Sequence, residues 1–195
     1  MTPSHRKRSL APVLLVSFAG PALAAPATYE IDPAHTYPSF SADHMGISKW
    51  RGKFNRSSGK MILDKAAGTG SVEVEIDVAS VDFGLEAMQP HALGPDFFDV
   101  ENYPKATYRG TLEGFEGGAP TRVVGELTMH GMTRPVQFTI NSFKCIPHPM
   151  HKRELCGADA EASIDREQFG LTAGKDYGFS MQVLLQLQFE AVRAQ

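Results

Sequence analysis

Asp32-Pro33-Ala34-His35 and Asp43-His44 each set a carboxylate beside an imidazole, the pairing that a general base needs. The same spacing also serves to cap a turn. Neither pair comes with a nucleophile. There is no Gly-x-Ser-x-Gly elbow and no His-Glu-x-x-His metal helix. Gly68-Thr69-Gly70 lacks the third glycine and the following helix of a dinucleotide loop, so it reads as a hairpin turn. His130 precedes Gly131 and falls in a turn, where exposure is expected, while His91 lies in an irregular stretch and can face a cavity mouth. The Asn55-Arg56-Ser57 triplet fits a glycosylation acceptor and says nothing further without its cellular context. These residues assign no catalytic role, so the chain reads as a non-enzyme and calls for no cofactor.

Cys145 and Cys156 are the two cysteines of the chain. An even count in an exported protein favours a disulfide, here stapling a hairpin tip. The segment between them holds His148, Met150 and His151, side chains that can bind copper. Oxidised cysteines supply no thiolate, and two histidines with one methionine are commonplace, so no metal site is assigned.

The export reading rests on the first two dozen residues. His5-Arg6-Lys7-Arg8 precedes an apolar run from Leu10 to Leu23 that ends in Ala22-Leu23-Ala24. A basic cluster, a short apolar stretch and a small-x-small site make a signal peptide over residues 1–24, cleaved after Ala24, and place the remainder in the periplasm. The run is too short for a spanning helix and is broken by Pro12, Gly20 and Pro21. Removing residues 1–24 takes Arg6, Lys7 and Arg8 and no acid, so 19 basic side chains become 16 against 22 acidic ones and the net charge moves from −3 to −6. That balance gives no general attraction to nucleic acid. Residues 25–195 are enough for one domain with a sizeable core.

Period-two alternation dominates that domain. In Ser71-Val72-Glu73-Val74-Glu75-Ile76-Asp77-Val78 the even positions are apolar and β-branched and the odd ones acidic or small. Leu185, Leu187, Phe189 and Ala191 alternate with Gln186, Gln188 and Glu190. Val136, Phe138 and Ile140 alternate with Gln137 and Thr139, and Trp50, Gly52 and Phe54 with three cations. Turn signals such as Ser57-Ser58-Gly59 and Gly117-Gly118-Ala119-Pro120 separate these runs. One stretch, about 83–100, reads as irregular with a short helix, since it carries Gly84, Pro90, Gly94 and Pro95. Roughly eight such strands predict an all-β domain, a closed antiparallel barrel or a sandwich. Gly52, Gly110 and the alanines at 158, 160 and 162 leave volume on the inner face. The pattern alone leaves open whether large neighbours fill it or a ligand does.

Ile31-Asp32-Pro33-Ala34-His35-Thr36, Arg51-Gly52-Lys53-Phe54, Pro95-Asp96-Phe97-Phe98-Asp99-Val100, Tyr103-Pro104-Lys105-Ala106-Thr107, the run from Gly125 to Val136, and Ile164-Asp165-Arg166-Glu167-Gln168-Phe169-Gly170 are weak singly but specific in their order. Through them the chain from Tyr29 to Val192 resembles the YceI-like family of polyisoprenoid-binding proteins. The resemblance implies an eight-stranded antiparallel lipocalin-like barrel with an apolar pore that holds a polyprenyl or isoprenoid-quinone-type lipid. Phe83-Gly84-Leu85 and Met88-Gln89-Pro90-His91-Ala92 depart from the family pattern, and the Cys145–Cys156 insertion is not a general feature of it.

On that reading Phe40, Trp50, Phe54, Val72, Val74 and Ile76 line the pore, together with Phe138, Leu185, Leu187 and Phe189. Met88, Leu93, Phe97 and Phe98 close one end, and His35, His44 and His91 are placed to touch a head group. Such a carrier implies transient contact with a membrane or membrane protein, and the sequence leaves monomer against homodimer open. Two other functions compete: a quinone-related enzyme or redox helper, and a metal-handling protein that uses the Cys145–Cys156 loop.

Overall fold

The computed structural model describes residues 25–150 and 152–195. Residues 1–24, which the sequence reads as a signal peptide, and His151 lie outside the described residues. Eleven strand segments form one sheet that closes on itself. The first six are the halves of three bent strands. β1 (Ala27–Ile31) and β2 (Tyr37–His44) run along the same neighbour, β11 (Gln182–Arg193). β3 (Ser48–Phe54) and β4 (Ser57–Asp64) pair back on β2 and β1. β5 (Thr69–Asp77) pairs with β4, and the short β6 (Val81–Asp82) pairs with β3. β7 (Lys105–Glu113), β8 (Arg122–Met129), β9 (Met132–Pro147) and β10 (Glu154–Asp165) continue the meander to β11. The result is a closed eight-stranded antiparallel barrel, and closure removes the exposed sheet edges that invite aggregation.

Alternation sets which face is dry. On β5 the acids Glu73, Glu75 and Asp77 stay outside and meet cations of neighbouring strands: Arg109 at 2.7 Å, Lys105 at 2.8 Å and Arg56 at 2.7 Å. Solvent screens exposed pairs of this kind, so they add little to stability. On β9 the inward column Val136, Phe138 and Ile140 changes parity at Asn141. Ser142 faces Asp159 and Ile140 faces Ala160, so Asn141 has no partner across the pair. This β-bulge turns Phe143 and Cys145 inward beyond it.

β8 and β9 are joined by His130-Gly131, whose φ values of 51° and 72° make the two-residue turn that suits the twist of a hairpin. β9 and β10 are joined by the Cys145–Cys156 disulfide, a directly opposed cross-strand pair with Cys156 fully buried. The irregular stretch contains a 3-10 turn (Glu86–Met88) followed by one short α-helix, α1 (Gln89–Leu93), with Pro90 in its first turn. Among the described residues no helix is long and apolar enough to cross a membrane.

The interior is filled at one end and open at the other. Tyr29, Met61, Leu63, Cys156 and Ala191 close the end near the disulfide, each 2% exposed or less. Tyr108 and Phe138 pack edge to face above them at 5.1 Å, and the Tyr108 hydroxyl donates to the carbonyl of Val136 at 2.9 Å. The small residues do not all leave space. Gly52 lies under the ring of Phe40, and Gly110 lies against Val123 and Tyr108.

Candidate functional site

The open end holds a cavity of about 750 Å³. Two grooves on the outer face are smaller, about 400 Å³ each. A volume of ~300–1,000 Å³ is the usual range for a small-molecule site. Strand ends supply the walls: Phe40 and Ala42 from β2, Trp50 and Phe54 from β3, Ile164 from β10, and Val183 and Leu185 from β11. The connection from α1 onward adds Phe97 and Phe98, and the β10–β11 connection adds Leu171 and Phe179. Exposed His91, Asp96, Lys175, Asp176 and Tyr177 edge the mouth.

Aromatic rings form the wall in a connected series. Phe40 meets Phe54, Phe83 and Phe98 with centroids 5.7, 5.5 and 6.5 Å apart. Trp50 meets Phe83 at 6.0 Å and stacks on His44 at 5.2 Å. Phe179 closes edge-on to His44 at 5.1 Å. Contacts of this kind hold the rings in place and leave their faces to an apolar guest.

The predicted residues divide between this cavity and the filled part of the barrel. Phe40, His44, Trp50, Phe54, Met88 and His91 border the cavity, as do Phe97, Phe98 and Leu185. Val72, Ile76, Leu93, Leu187 and Phe189 are half-buried and pack against the core away from it. Val74 sits on β5 opposite Tyr108, and Phe138 packs edge to face with that same tyrosine. His35 is not at the mouth. Its Nδ1 meets Asp32 Oδ2 at 2.7 Å on the outside of the barrel, while Asp32 Oδ1 accepts the Ala34 N–H at 2.9 Å. This Asp-x-x-His is a turn cap, since the strand must break between β1 and β2.

The second acid–imidazole pair does not assemble. Both oxygens of Asp43 accept the Gly46 N–H, and Oδ2 also accepts that of Ser180. The carboxylate therefore holds two turns together, while His44 stacks among aromatics. His130 corrects the expectation of an exposed turn residue. It is half-buried, 4.4 Å from the ring of Tyr103, with Nδ1 at 3.1 Å from the carbonyl of Phe169. Its turn is tight enough to fold the ring back on the β10–β11 connection. Of the ligand-bearing clusters among the described residues, Cys145, Glu154 and Cys156 has its sulfurs in the disulfide, and the other is the Asp32 and His35 cap with Glu190.

Arg166 stands in the Ile164–Gly170 motif of the family resemblance, where the sequence assigns it no role in the site. It borders the cavity yet is only 6% exposed. Nη1 donates to the carbonyl of Leu171 at 3.0 Å and Nη2 to that of Ala173 at 2.6 Å. Its Nε is buried with no hydrogen-bond partner among the described residues. Burial depresses its pKa, with partial compensation from Asp165. A guanidinium nonetheless stays charged at neutral pH. The signal was its parity: Ala158, Ala160, Ala162 and Ile164 point inward, and Arg166 continues that column.

Comparison with known proteins agrees with this architecture. The YceI-like domain family matches residues 29–191. The chain belongs to the YceI-like family. A UPF0312 protein of Vibrio cholerae is 29% identical over 187 residues, covering 94% of this chain and 95% of the relative. The crystal structure of BcnA from Burkholderia cenocepacia superimposes with a TM-score of 0.65 at 25% identity, over 83% of this chain and 99% of BcnA. A polyisoprenoid binding domain from Saccharophagus degradans shares the fold with a TM-score of 0.61 at 16% identity, over 86% of this chain and 99% of that domain. These YceI-like proteins share the closed barrel.

Proposed function

We propose that the protein binds a polyisoprenoid or similar amphiphilic lipid, with the apolar part in the aromatic cavity, and carries it in the periplasm after removal of residues 1–24. The observation that carries this reading is the cavity of about 750 Å³ walled by Phe40, Trp50, Phe54, Phe83 and Phe98. Burying apolar carbon is favourable by ~0.8 kcal/mol per methylene, so each five-carbon prenyl unit contributes roughly 3–4 kcal/mol. A few units offset the entropy lost on immobilising the chain. The polyisoprenoid-binding domain with the same fold supports the choice of ligand. The unassembled Asp43 and His44 pair supports a carrier over an enzyme acting on a quinone head. Ile47, Leu85 and Tyr177 are 77%, 54% and 78% exposed in the segments that form the mouth. That apolar rim supports loading by transient contact with a membrane.

Trp50, the single tryptophan of the chain, is in the cavity wall and reports occupancy directly. Titration with farnesol or a longer polyprenol is expected to shift its emission saturably. Ala42→Trp, which fills the cavity from β2, should weaken binding at least tenfold in a folded barrel when followed by displacement of a bound fluorescent lipid. Lack of saturable binding by any prenyl alcohol or acid, together with an empty organic extract of protein from its native host, overturns the proposal.

A further inference from the structure

The cavity wall contains a buried cation, Arg166, that forms no ion pair among the described residues. The carboxylate of the adjacent Asp165 accepts the Glu167 N–H and acts on Arg166 only through its charge. The carbonyls of Leu171 and Ala173 satisfy the two ends of the guanidinium, and Nε has no hydrogen-bond partner among the described residues. A buried charge of this kind is costly unless paired and hydrogen-bonded. Lys175, the other cation at the mouth, is bonded to Glu167. Arg166 is therefore the cation of the cavity wall with no ion pair among the described residues; Asp165 offsets its charge only in part, and the carboxylates of Asp43, Asp96 and Asp176 border the same cavity without pairing with it.

We propose that Arg166 anchors the polar end of the ligand and that this end carries an anionic oxygen, as a carboxylate or phosphate does. The inference rests on the lipid reading above and adds the class of head group. Leu171 and Ala173, whose carbonyls orient the guanidinium, also border the cavity. The same bonds thus shape the wall and aim the charge. A head group at Arg166 leaves the hydrocarbon against Phe40, Phe54 and Phe98. A charge-assisted bond in a desolvated site discriminates by about tenfold or more between an anionic and a neutral head.

The test compares three probes with one tail: farnesol, farnesoic acid and farnesyl phosphate, each followed by Trp50 emission. Wild-type protein is expected to bind the acid, the phosphate or both at least tenfold more tightly than the alcohol. The stronger of the two identifies the source of the anion. Arg166→Gln should erase that preference, bringing the affinities for the three probes to within about twofold of one another in the variant. Arg166→Lys, which keeps the charge, should retain part of it and serves if the glutamine variant does not fold. Equal affinity of wild type for all three probes overturns the anchor but leaves the lipid reading standing. Preference for the anions that persists in both variants overturns the assignment to Arg166. Failure of all three to bind overturns the anchor, and the lipid reading falls with it only if longer prenyl probes also fail and the organic extract is empty.

Discussion

The ring of Phe40 lies over the α-carbon of Gly52, so close that a Cβ at position 52 would stand 2.4 Å from the Phe40 Cζ. These residues are directly opposed on β2 and β3. Glycine there lets the ring lie flat against the sheet and leaves the space in front of it open.

Gly52→Ala should therefore act on the cavity as well as on the core. The added methyl forces Phe40 toward Phe54, Phe83 and Phe98 or into the open space. Overpacking of this order costs about 1–3 kcal/mol. Urea unfolding should show that loss, and prenyl affinity read from Trp50 should fall with it. A variant with unchanged stability and affinity would show that the ring has another place to go.

The disulfide is expected to matter for stability and not for binding. Cys156 and Ile164 lie on the same strand, ~26 Å apart at ~3.3 Å per residue, with the bridge at the filled end and the cavity at the other. A closed loop of this length stabilises by ~3 kcal/mol if unstrained. The Cys145→Ala, Cys156→Ala double variant should unfold at lower urea by that amount while binding prenyl probes as wild type does. Loss of affinity in a variant still folded at the assay temperature would mean that the two ends of the barrel are coupled.

The strands and their inner faces were legible because alternation is a local property. Val136, Phe138 and Ile140, or Leu185, Leu187 and Phe189, announce a half-buried strand without reference to the rest of the chain. What alternation does not give is depth along the barrel. Leu185 and Phe189 share one face of β11, yet the first borders the cavity and the second packs against the core away from it. Turns were harder still. Phe83, Phe179 and Tyr177 reach the cavity from segments with no period, and their place is fixed by long-range closure of the loops. Arg166 was the exception. A cation continuing an inward column breaks the pattern that surrounds it, and that break was visible in the sequence.

Tyr29 ties the filled end together, its hydroxyl donating to Glu154 Oε2 at 2.5 Å while Lys65 bonds the other carboxylate oxygen. Burial, then the bond and the charge of Glu154, push its pKa up to about 12. A raised folded-state value means that its contribution is complete below the ordinary tyrosine range near 10 and is lost as pH rises through about 12. Tyr29→Phe removes one bond to a charged acceptor, a loss of about 1.5–3 kcal/mol at neutral pH. Its stability should also decline less steeply above pH ~10 than that of wild type. Parallel alkaline profiles by circular dichroism would show that Tyr29 does not carry the effect.

At low and middle pH the titrating pair is Asp32 with His35. The bond to Asp32 and its charge raise the pKa of His35. For Asp32, burial opposes ionisation, but the bonds from His35 and the Ala34 N–H prevail and hold its carboxyl below the ordinary value. The two shifts bracket a window. The His35 contribution is present below the ordinary histidine range and disappears as pH rises through its raised folded value. That of Asp32 is present above the ordinary carboxylate range and disappears as pH falls through its lowered one. The cap between β1 and β2 is therefore firmest at mildly acidic pH, where both groups are charged. Histidine proton resonances followed against pH should give His35 a midpoint above the ordinary value in wild type and a lower one in Asp32→Asn. Identical midpoints in the two proteins would mean that the pair seen at 2.7 Å is not held in solution.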